Sequence, residues 1–456
     1  MKTYKNRRYY TLPLLLLALC LLMGCTAEPG DLPIYNAGSE VVAGEDGEIK
    51  GSGNGGMAGD SDMAFDAESA DRADDSVWDT PMEEAPMAPD DMPSREADEE
   101  CAPGDGYYGG SGSNGFSQQA GQLTASEWKD LERWDDFKAL VNQNSFYSIA
   151  EKWSIYATSR IKVNVLCDNA PVKGAKVELL DENGTLLWGA VSDYKGAAYL
   201  FYNVTGAKGG QVPHSVRVTA VNGATATAQV EAGTEEITVT PAGAANPALT
   251  LDLMLMVDTT GSMGDELEYL KAELGDVITR AAKDSNVAVR TSVNFYRDTT
   301  DEYIVRYYDF RDSVDEAVAL LAQQSANGGG DYPEAVHTAM ENAITGHAWS
   351  ESSVKLLFFV FDAPPHAEQE VMQSLQQSIK AAAEAGIRVI PVASSGVDDT
   401  CQLLFRSYAA LTGGTYTYLT NHSGIGGSHA TPELPEEPGV ERLNDMMVRI
   451  ITEYCQ

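Results

Sequence analysis

The stretch Leu251–Leu270, LDLMLMVDTTGSMGDELEYL, decides the fold of the C-terminal part of this chain. Its apolar run, residues 251–257, predicts a buried strand, and the spacing of apolar residues after Asp265 predicts a helix. Between these elements, oxygen-bearing side chains occupy every second position: Asp258, Thr260 and Ser262. A strand that ends in this way delivers an acid and two hydroxyls to the edge where α/β sheets bind ligands.

Strands and helices alternate through the rest of the C-terminal region. The predicted strands cover residues 251–257, 287–296, 303–308, 354–361, 387–394 and 415–419. The predicted helices cover residues 265–283, 312–323, 333–344, 368–385, 400–412 and 441–454. Runs such as LLFFVF and IRVIPVAS are apolar without alternation, which is typical of strands covered on both faces. We therefore predict a doubly wound, Rossmann-like α/β domain with a mostly parallel sheet over residues 249–456.

Two later loops are expected at the same edge of that sheet. SANGGGDYPEA places Asp331 just before a predicted helix with Pro333 in its first turn, and LLFFVFDAPPH places Asp362 at the end of a buried strand. Carboxylate and hydroxyl oxygens are the ligands that hard divalent cations prefer. The sequence thus predicts one Mg²⁺ or Mn²⁺ ion, with Asp362 acting directly or through water, bound by Asp258, Thr260, Ser262, Asp331 and Asp362.

The domain resembles a von Willebrand factor A domain, and these residues resemble its metal-ion-dependent adhesion site. The family pattern is Asp-x-Ser-x-Ser, a Thr from a second loop and an Asp from a third; Asp258, Thr260, Ser262 and Asp362 match it. Asp331 departs from the pattern, since it falls where the family commonly has Thr. The resemblance implies adhesion or protein binding, with a partner that supplies an acidic residue to the ion. The extra carboxylate of Asp331 is expected to hold the ion more tightly and to weaken that attraction.

The N-terminus reads as an export signal. A basic start precedes an apolar core, residues 11–23, that is too short to span a bilayer. The core ends in LMGC, residues 22–25, which resembles the lipobox of bacterial lipoproteins. The resemblance implies that residues 1–24 are removed and that Cys25 carries the lipid. We therefore expect a lipid-anchored, extracytoplasmic protein of the cell envelope, with the outer membrane or the cell surface allowed.

Residues 25–120 are predicted to be a disordered acidic linker. They contain many Gly, Pro, Asp and Glu residues and no periodic apolar face, so they bury too little apolar surface to offset the entropy of ordering. The whole chain of 456 residues has a formal charge of −37. This balance argues against nucleic acid as a partner, because phosphate binding needs a concentrated basic surface.

Two further segments precede the α/β domain. Between residues 121 and 157, apolar residues recur at three- and four-residue spacing and predict a helical segment: Trp128, Leu131, Trp134, Phe137 and Leu140 or Val141. Short alternating strands follow over residues 158–246 and predict a β-sandwich. Part of this region, from VLCDNAPVKGAKVELL to GAAYLF, resembles the carboxypeptidase regulatory-like sandwiches. That resemblance implies a scaffold or spacer without chemistry of its own.

Four cysteines remain besides the anchor: Cys101, Cys167, Cys401 and Cys455. In an exported protein these residues could form disulfides, and spacing alone leaves all three pairings open. Cys401 with Cys455 is the favoured pair, since both are expected in one domain.

The DTTGS motif, residues 258–262, resembles parts of the active-site motifs of two classes of enzyme. Aspartic proteases use Asp-Thr-Gly, but here a second Thr interrupts the triplet and the chain has no second copy for a dyad. Ion pumps and related phosphatases use a phosphorylated Asp in a similar loop, but their downstream Lys and Gly-Asp loop have no equivalent here. We therefore expect a non-enzymatic protein. The alternatives are an envelope-complex scaffold with a purely structural ion and, less favoured, a Mg²⁺-dependent phosphatase that uses Asp258. Arg297, Asp298 and Asp301 form a polar loop that is expected near the rim without an assigned role, and His366 is expected at the surface or behind the ligands.

Overall fold

The computed structural model describes residues 46–51, 116–205, 210–284 and 287–455. The predicted signal peptide, the lipidation site Cys25, Cys101 and most of the predicted linker lie outside these ranges.

The described elements agree closely with the predicted alternation after residue 249. The strands are β1 (Gly47–Ile49), β2 (Thr124–Trp128), β3 (Arg160–Cys167), β4 (Ala170–Pro171), β5 (Lys176–Leu180), β6 (Leu186–Val191), β7 (Ala197–Phe201), β8 (Ser215–Thr219), β9 (Thr225–Gln229), β10 (Glu236–Val239), β11 (Thr250–Asp258), β12 (Ala288–Tyr296), β13 (Val305–Tyr307), β14 (Val354–Phe361), β15 (Ile387–Ala393), β16 (Tyr416–Leu419) and β17 (Val440–Arg442). The helices are α1 (Trp134–Val141), α2 (Asn144–Trp153), α3 (Leu267–Asp284), α4 (Val314–Ala322), α5 (Val336–Thr345), α6 (Gln369–Ala385), α7 (Asp399–Thr412) and α8 (Leu443–Tyr454).

A nine-stranded sheet forms the centre of the fold, in the order β1-β13-β12-β11-β14-β15-β16-β2-β17. Its five middle strands, β12, β11, β14, β15 and β16, are parallel, and the two strands at each edge pair antiparallel. The predicted α/β domain with a mostly parallel sheet is confirmed. Parallel strands all point their carboxyl ends to one edge, which places the loops after β11 and β14 side by side.

Both faces of this sheet are covered by helices, as the uninterrupted apolar strands predict. On β11, Met254 and Met256 face the core formed with α5, α6 and α7, whereas Leu253 and Leu255 face the core formed with α3, α4 and α8. All four side chains are fully buried. Such complete burial fixes β11 in the middle of the sheet, and with it the position of Asp258.

The strands between Arg160 and Val239 form two four-stranded sheets. One has the order β10-β3-β4 with β7 also paired to β3, and the other has the order β6-β5-β8-β9. Their apolar residues share a core with helices α6 and α7 of the α/β part. The β-rich region therefore packs directly on the large domain. The contact between them is especially close at Gly386. This residue has a φ of +72°, and a Cβ there would lie 2.8 Å from Cβ of Val191.

The prediction that residues 121–157 form a helical segment is wrong at its start. Thr124–Trp128 is a strand that pairs antiparallel with both β16 and β17, and the helices begin only at Trp134. Long-range pairing with the far end of the chain overrides the local helical spacing. Because this strand precedes the β-rich region, residues 158–246 are inserted within the α/β domain and do not simply precede it.

The predicted disorder of residues 25–120 is also wrong at one point. Gly47–Ile49 forms a short strand that pairs antiparallel with β13 at the edge of the large sheet. Glu48 accepts a hydrogen bond of 2.8 Å from Nε of Arg306 on that strand. Pairing with an open sheet edge supplies backbone hydrogen bonds that the local composition does not indicate.

The favoured disulfide is contradicted as well. Cys167, Cys401 and Cys455, the cysteines within the described residues, are all free. Cys401 packs in the core on the α7 side of the sheet, and Cys455 packs in the core on the α3 and α8 side. The two thiols belong to one domain but lie on opposite faces of the sheet, so they do not meet.

Glu273 on α3 fixes the segment that leads into β2. Its fully buried carboxylate accepts hydrogen bonds of 2.7 to 2.9 Å from the backbone N–H groups of Gly121, Gln122 and Leu123. We expect Glu273→Ala to lower the free energy of unfolding by about 2–3 kcal/mol, because buried N–H groups lose their acceptor. Urea denaturation measures this, with exposed Glu370 changed to Gln as a control expected within about 0.5 kcal/mol of wild type. If Glu273→Ala lowered the free energy of unfolding as little as the control does, the Glu273 carboxylate would not be what fixes this segment.

Candidate metal site at the carboxyl edge of the sheet

Asp258 is the last residue of β11 and pairs in register with Tyr296 on β12. Its side chain is fully buried, and its Oδ1 accepts hydrogen bonds from the backbone N–H and the hydroxyl of Thr260, at 2.8 and 2.7 Å. The Thr260 hydroxyl lies 3.1 Å from the hydroxyl of Ser262. The alternation of oxygen-bearing residues in the sequence therefore becomes a continuous row of oxygen atoms across one turn.

Asp362 follows β14 and lies at the same edge, with an exposed fraction of 5%. Burial raises its pKa, and a hydrogen bond from the Ser262 hydroxyl opposes that rise. Burial also raises the pKa of Asp258, and the charge of Asp362 raises it further. The loops after two adjacent strands thus hold two carboxyl groups close enough to repel each other.

Asp331 lies at the mouth of this site and is exposed. The glycines before it shape the loop: Gly328 and Gly329 have φ values of +80° and +73°, and the N–H of Gly329 donates a 2.8 Å hydrogen bond to Asp301. Positive φ values favour glycine, which explains the glycine run. The structure therefore brings Asp331 to the opening of the site, not to its buried floor.

Glu334 is the residue that sequence analysis missed. Its exposed fraction is 2%, and its Oε2 is buried without a hydrogen-bond partner. Burial raises its pKa to about 10, and the charges of Asp258 and Asp298 contribute to the rise. The sequence predicts a helix over residues 333–344, a range that includes Glu334. Helix α5 begins only at Val336, so Glu334 belongs to the loop before it. A second acid in the same glycine-rich loop was the signal available in the sequence.

An open cleft of about 480 Å³ joins these groups. Its lining residues come from five separate stretches of the chain: Ser262, Asp331, Tyr332, Glu334, Asp362, Ala363, Ser395, Gly396, Gly427 and Ser428. Asp258 and Thr260 are buried beside Ser262, to which Thr260 is bonded.

Arg297 and Asp298, which were predicted near the rim, are buried, and they form a second network with Asp301 and His366. Nε2 of His366 lies 2.6 Å from Oδ1 of Asp298, and Asp301 accepts hydrogen bonds from the N–H groups of Asp298 and Gly329. Nε of Arg297 donates a 3.1 Å hydrogen bond to the carbonyl of Thr259. These contacts hold the loop after β12 against the turn that carries Thr260.

The donor set fits a hard divalent cation. One oxygen each of Asp258, Glu334 and Asp362 is buried without a hydrogen-bond partner, and a buried carboxylate oxygen needs a proton donor or a cation. Among the described residues, no three His, Cys, Asp or Glu side chains stand in a metal-binding arrangement by themselves. Any ion held here would also need the hydroxyls of Thr260 and Ser262 as ligands.

Comparison with known proteins agrees with this architecture. Residues 252–425 match the family model of the von Willebrand factor A domain. This segment is a von Willebrand factor A (VWA) domain. The match covers less than half of the chain and includes β11 with its row of oxygen atoms as well as the loops of Asp331 and Asp362.

Two curated relatives each match less than a third of the chain. A putative ariadne-like RING finger protein, R811, of Acanthamoeba polyphaga mimivirus is 29% identical over 129 residues, which are 28% of this chain and 12% of that protein. The alpha-protein kinase vwkA of Dictyostelium discoideum is 28% identical over 144 residues, 31% of this chain and 23% of that protein. The chain thus spans less than a quarter of the length of either relative.

A solved structure, the conserved hypothetical protein BatB from Bacteroides thetaiotaomicron, aligns with 44% of this chain and 96% of its own. Its sequence identity is 14% and its TM-score is 0.32, and no structural conclusion follows from a likeness this low.

Proposed function

We propose that the VWA domain binds one Mg²⁺ or Mn²⁺ ion and uses it to bind a protein partner or to mediate adhesion. The observation that supports this most is the set of three buried carboxylate oxygens without partners beside a row of hydroxyls. Asp258, Thr260, Ser262 and Asp362 would hold the ion, with Asp331 joining from the mouth of the cleft. The bound cation would supply positive charge there. We propose no catalytic role for the site.

The proposed partner is a protein that presents an acidic residue to the ion. The cleft opens to solvent beside Tyr332, a large side chain that is 45% exposed. Its hydroxyl donates a 2.8 Å hydrogen bond to the carbonyl of Gly396, so the ring is the part that it offers to a partner, and aromatic side chains are enriched in protein interfaces. Nucleic acid is not proposed as a partner, given the formal charge of −37.

We also propose that the protein is anchored to a membrane of the cell envelope, outside the cytoplasm, by lipid on Cys25. The support is the sequence resemblance of residues 22–25 to a lipobox. None of the helices in the described ranges is long and apolar enough to cross a bilayer. Metabolic labelling with radioactive palmitate tests the anchor, since Cys25→Ser should abolish incorporation.

Cation dependence is tested directly by pull-down from envelope extracts, with and without a chelator. We expect wild-type protein to retain a partner in Mg²⁺, to lose it in chelator and to recover it when Mg²⁺ is restored. Asp258→Ala should retain none under any condition. Partner binding that survives both the chelator and this substitution would favour the alternative function, a scaffold whose ion is purely structural. The deep burial of Asp258 and Glu334 is the observation that keeps this alternative open.

The phosphatase alternative has its own test. Turnover of a generic aryl phosphate that is lost on Asp258→Asn would establish it, and we expect no turnover with either protein.

A further inference from the structure

Glu334 is fixed to the loop that carries Asp362. Its N–H donates a 2.9 Å hydrogen bond to the carbonyl of Pro364, and it pairs with Pro365 in a parallel bridge. Asp362 lies two residues before Pro364. Backbone contacts therefore fix Glu334 against the loop that carries Asp362, whatever the two side chains bind.

The Glu334 side chain extends toward the row of hydroxyls. A Cβ placed at Gly329 would lie 3.2 Å from Oε1 of Glu334 and 3.5 Å from Cβ of Thr260. Glycine at position 329 thus leaves open the space between the carboxylate and Thr260. The Oε2 atom of Glu334 has no hydrogen bond to lose, so this carboxylate can rotate toward an ion beside Thr260 and Ser262.

The charge balance differs from that of a site with two carboxylates. Asp258 and Asp362 together neutralise a divalent cation, and Glu334, whose exposed fraction is 2%, adds a buried negative charge once the ion replaces its proton. Because Coulomb interactions strengthen as water is excluded, that charge strongly opposes the approach of any further carboxylate. An acid from a partner can coordinate the ion only if Glu334 withdraws.

We infer that Glu334 is a resident ligand of the ion, which takes the coordination position that a partner's carboxylate would fill. This inference rests on the proposed function. It adds regulation: the metal-loaded site is closed by its own acid, and an acidic partner must displace Glu334 to bind.

The experiment uses Mn²⁺ as the probe and the relaxation of water protons to count exchangeable waters on the ion. Wild type, Glu334→Gln and Glu334→Ala are titrated with Mn²⁺ and then with acetate. We expect both variants to bind Mn²⁺ about tenfold or more weakly than wild type. Mn²⁺ on Glu334→Ala should carry about one additional water, and acetate should displace water from that variant at about tenfold lower concentration than from wild type.

Glu368→Gln is the matched control, because it removes an exposed acid at the start of α6, close to the same edge. It should behave as wild type. Circular dichroism verifies that the variants fold, and the isosteric Glu334→Gln serves if the alanine variant does not.

Two outcomes would overturn the inference while the proposed function stands: unchanged Mn²⁺ affinity and water count in both Glu334 variants, or an additional water in Asp331→Asn instead. Absence of Mn²⁺ binding in wild type would overturn the proposed function and the inference together.

Discussion

Asp258→Asn should abolish Mn²⁺ and Mg²⁺ binding and yet raise the melting temperature of the protein in chelator. The carboxylate is fully buried, and the charge of Asp362 adds to the cost of ionising it, so the neutral amide relieves a repulsion. In saturating metal the order reverses, because an ion at a hundred times its Kd stabilises only the wild type, by about 2.7 kcal/mol. Thermal unfolding with and without metal measures both effects.

The matched control is Glu368→Gln, for which metal should raise the melting temperature as much as for wild type. An equal metal-induced shift in Asp258→Asn would show that the ion binds elsewhere. A lower melting temperature of this variant in chelator would show that the buried carboxylate stabilises the fold.

The metal effect should also depend on pH. Burial raises the pKa of Asp258, of Asp362 and, to about 10, of Glu334. In chelator, these groups hold protons more tightly in the folded than in the unfolded chain, so stability falls as pH rises above the unfolded values of about 4. A cation competes with those protons, and we expect the stabilisation by Mg²⁺ to grow from pH 5 to pH 9. A constant metal effect over this range would contradict the prediction.

Arg406→Met should lower the free energy of unfolding by about 3–5 kcal/mol, as is typical when one partner of a buried ion pair is removed. Arg406 and Asp130 are 1% and 4% exposed, and they form two hydrogen bonds, of 3.0 and 2.6 Å. Burial raises the pKa of Asp130 and the guanidinium lowers it, so the carboxylate depends on Arg406 to remain charged. Urea denaturation, followed by circular dichroism, gives the loss.

The double variant Asp130→Asn with Arg406→Met separates the pair from its surroundings. It should be more stable than Arg406→Met alone, because no unpaired buried charge remains. The surface ion pairs of Arg280 with Asp276 and Asp445 supply a control, since Arg280→Met should cost less than about 1 kcal/mol. A loss below 1 kcal/mol for Arg406→Met would show that the buried pair does not fasten the segment after β2 to helix α7.

The elements of the VWA domain could be predicted because their signals are local. The apolar run before Asp258 and the run that ends at Phe361 each span a buried strand, and β14 has the same bounds, residues 354–361, in both descriptions. The site residues Asp258, Thr260 and Ser262 were recognisable for the same reason, since one turn carries all of them. Asp362 required one further step, namely that parallel strands end at one edge.

Contacts between distant parts of the chain were not predictable in this way. The strand Thr124–Trp128 carries helical spacing, and only its antiparallel partners β16 and β17, about 300 residues later, make it extended. Gly47–Ile49 gives no strand signal at all, and the open edge of β13 decides its conformation. Cys401 and Cys455 share a domain, but the sheet between the two cores separates them.

The sequence by itself determined the order of strands and helices and the row of oxygen-bearing side chains after β11, because periodicity and turn chemistry act over a few residues. Only the tertiary structure decided that β2 joins the sheet between β16 and β17, that the β-rich region is an insertion and that the buried Glu334 lines the cleft. Each of these depends on which distant backbone groups pair, as the contact of Glu334 with Pro364 shows. Such pairing cannot be inferred from the few residues that surround each position in the sequence.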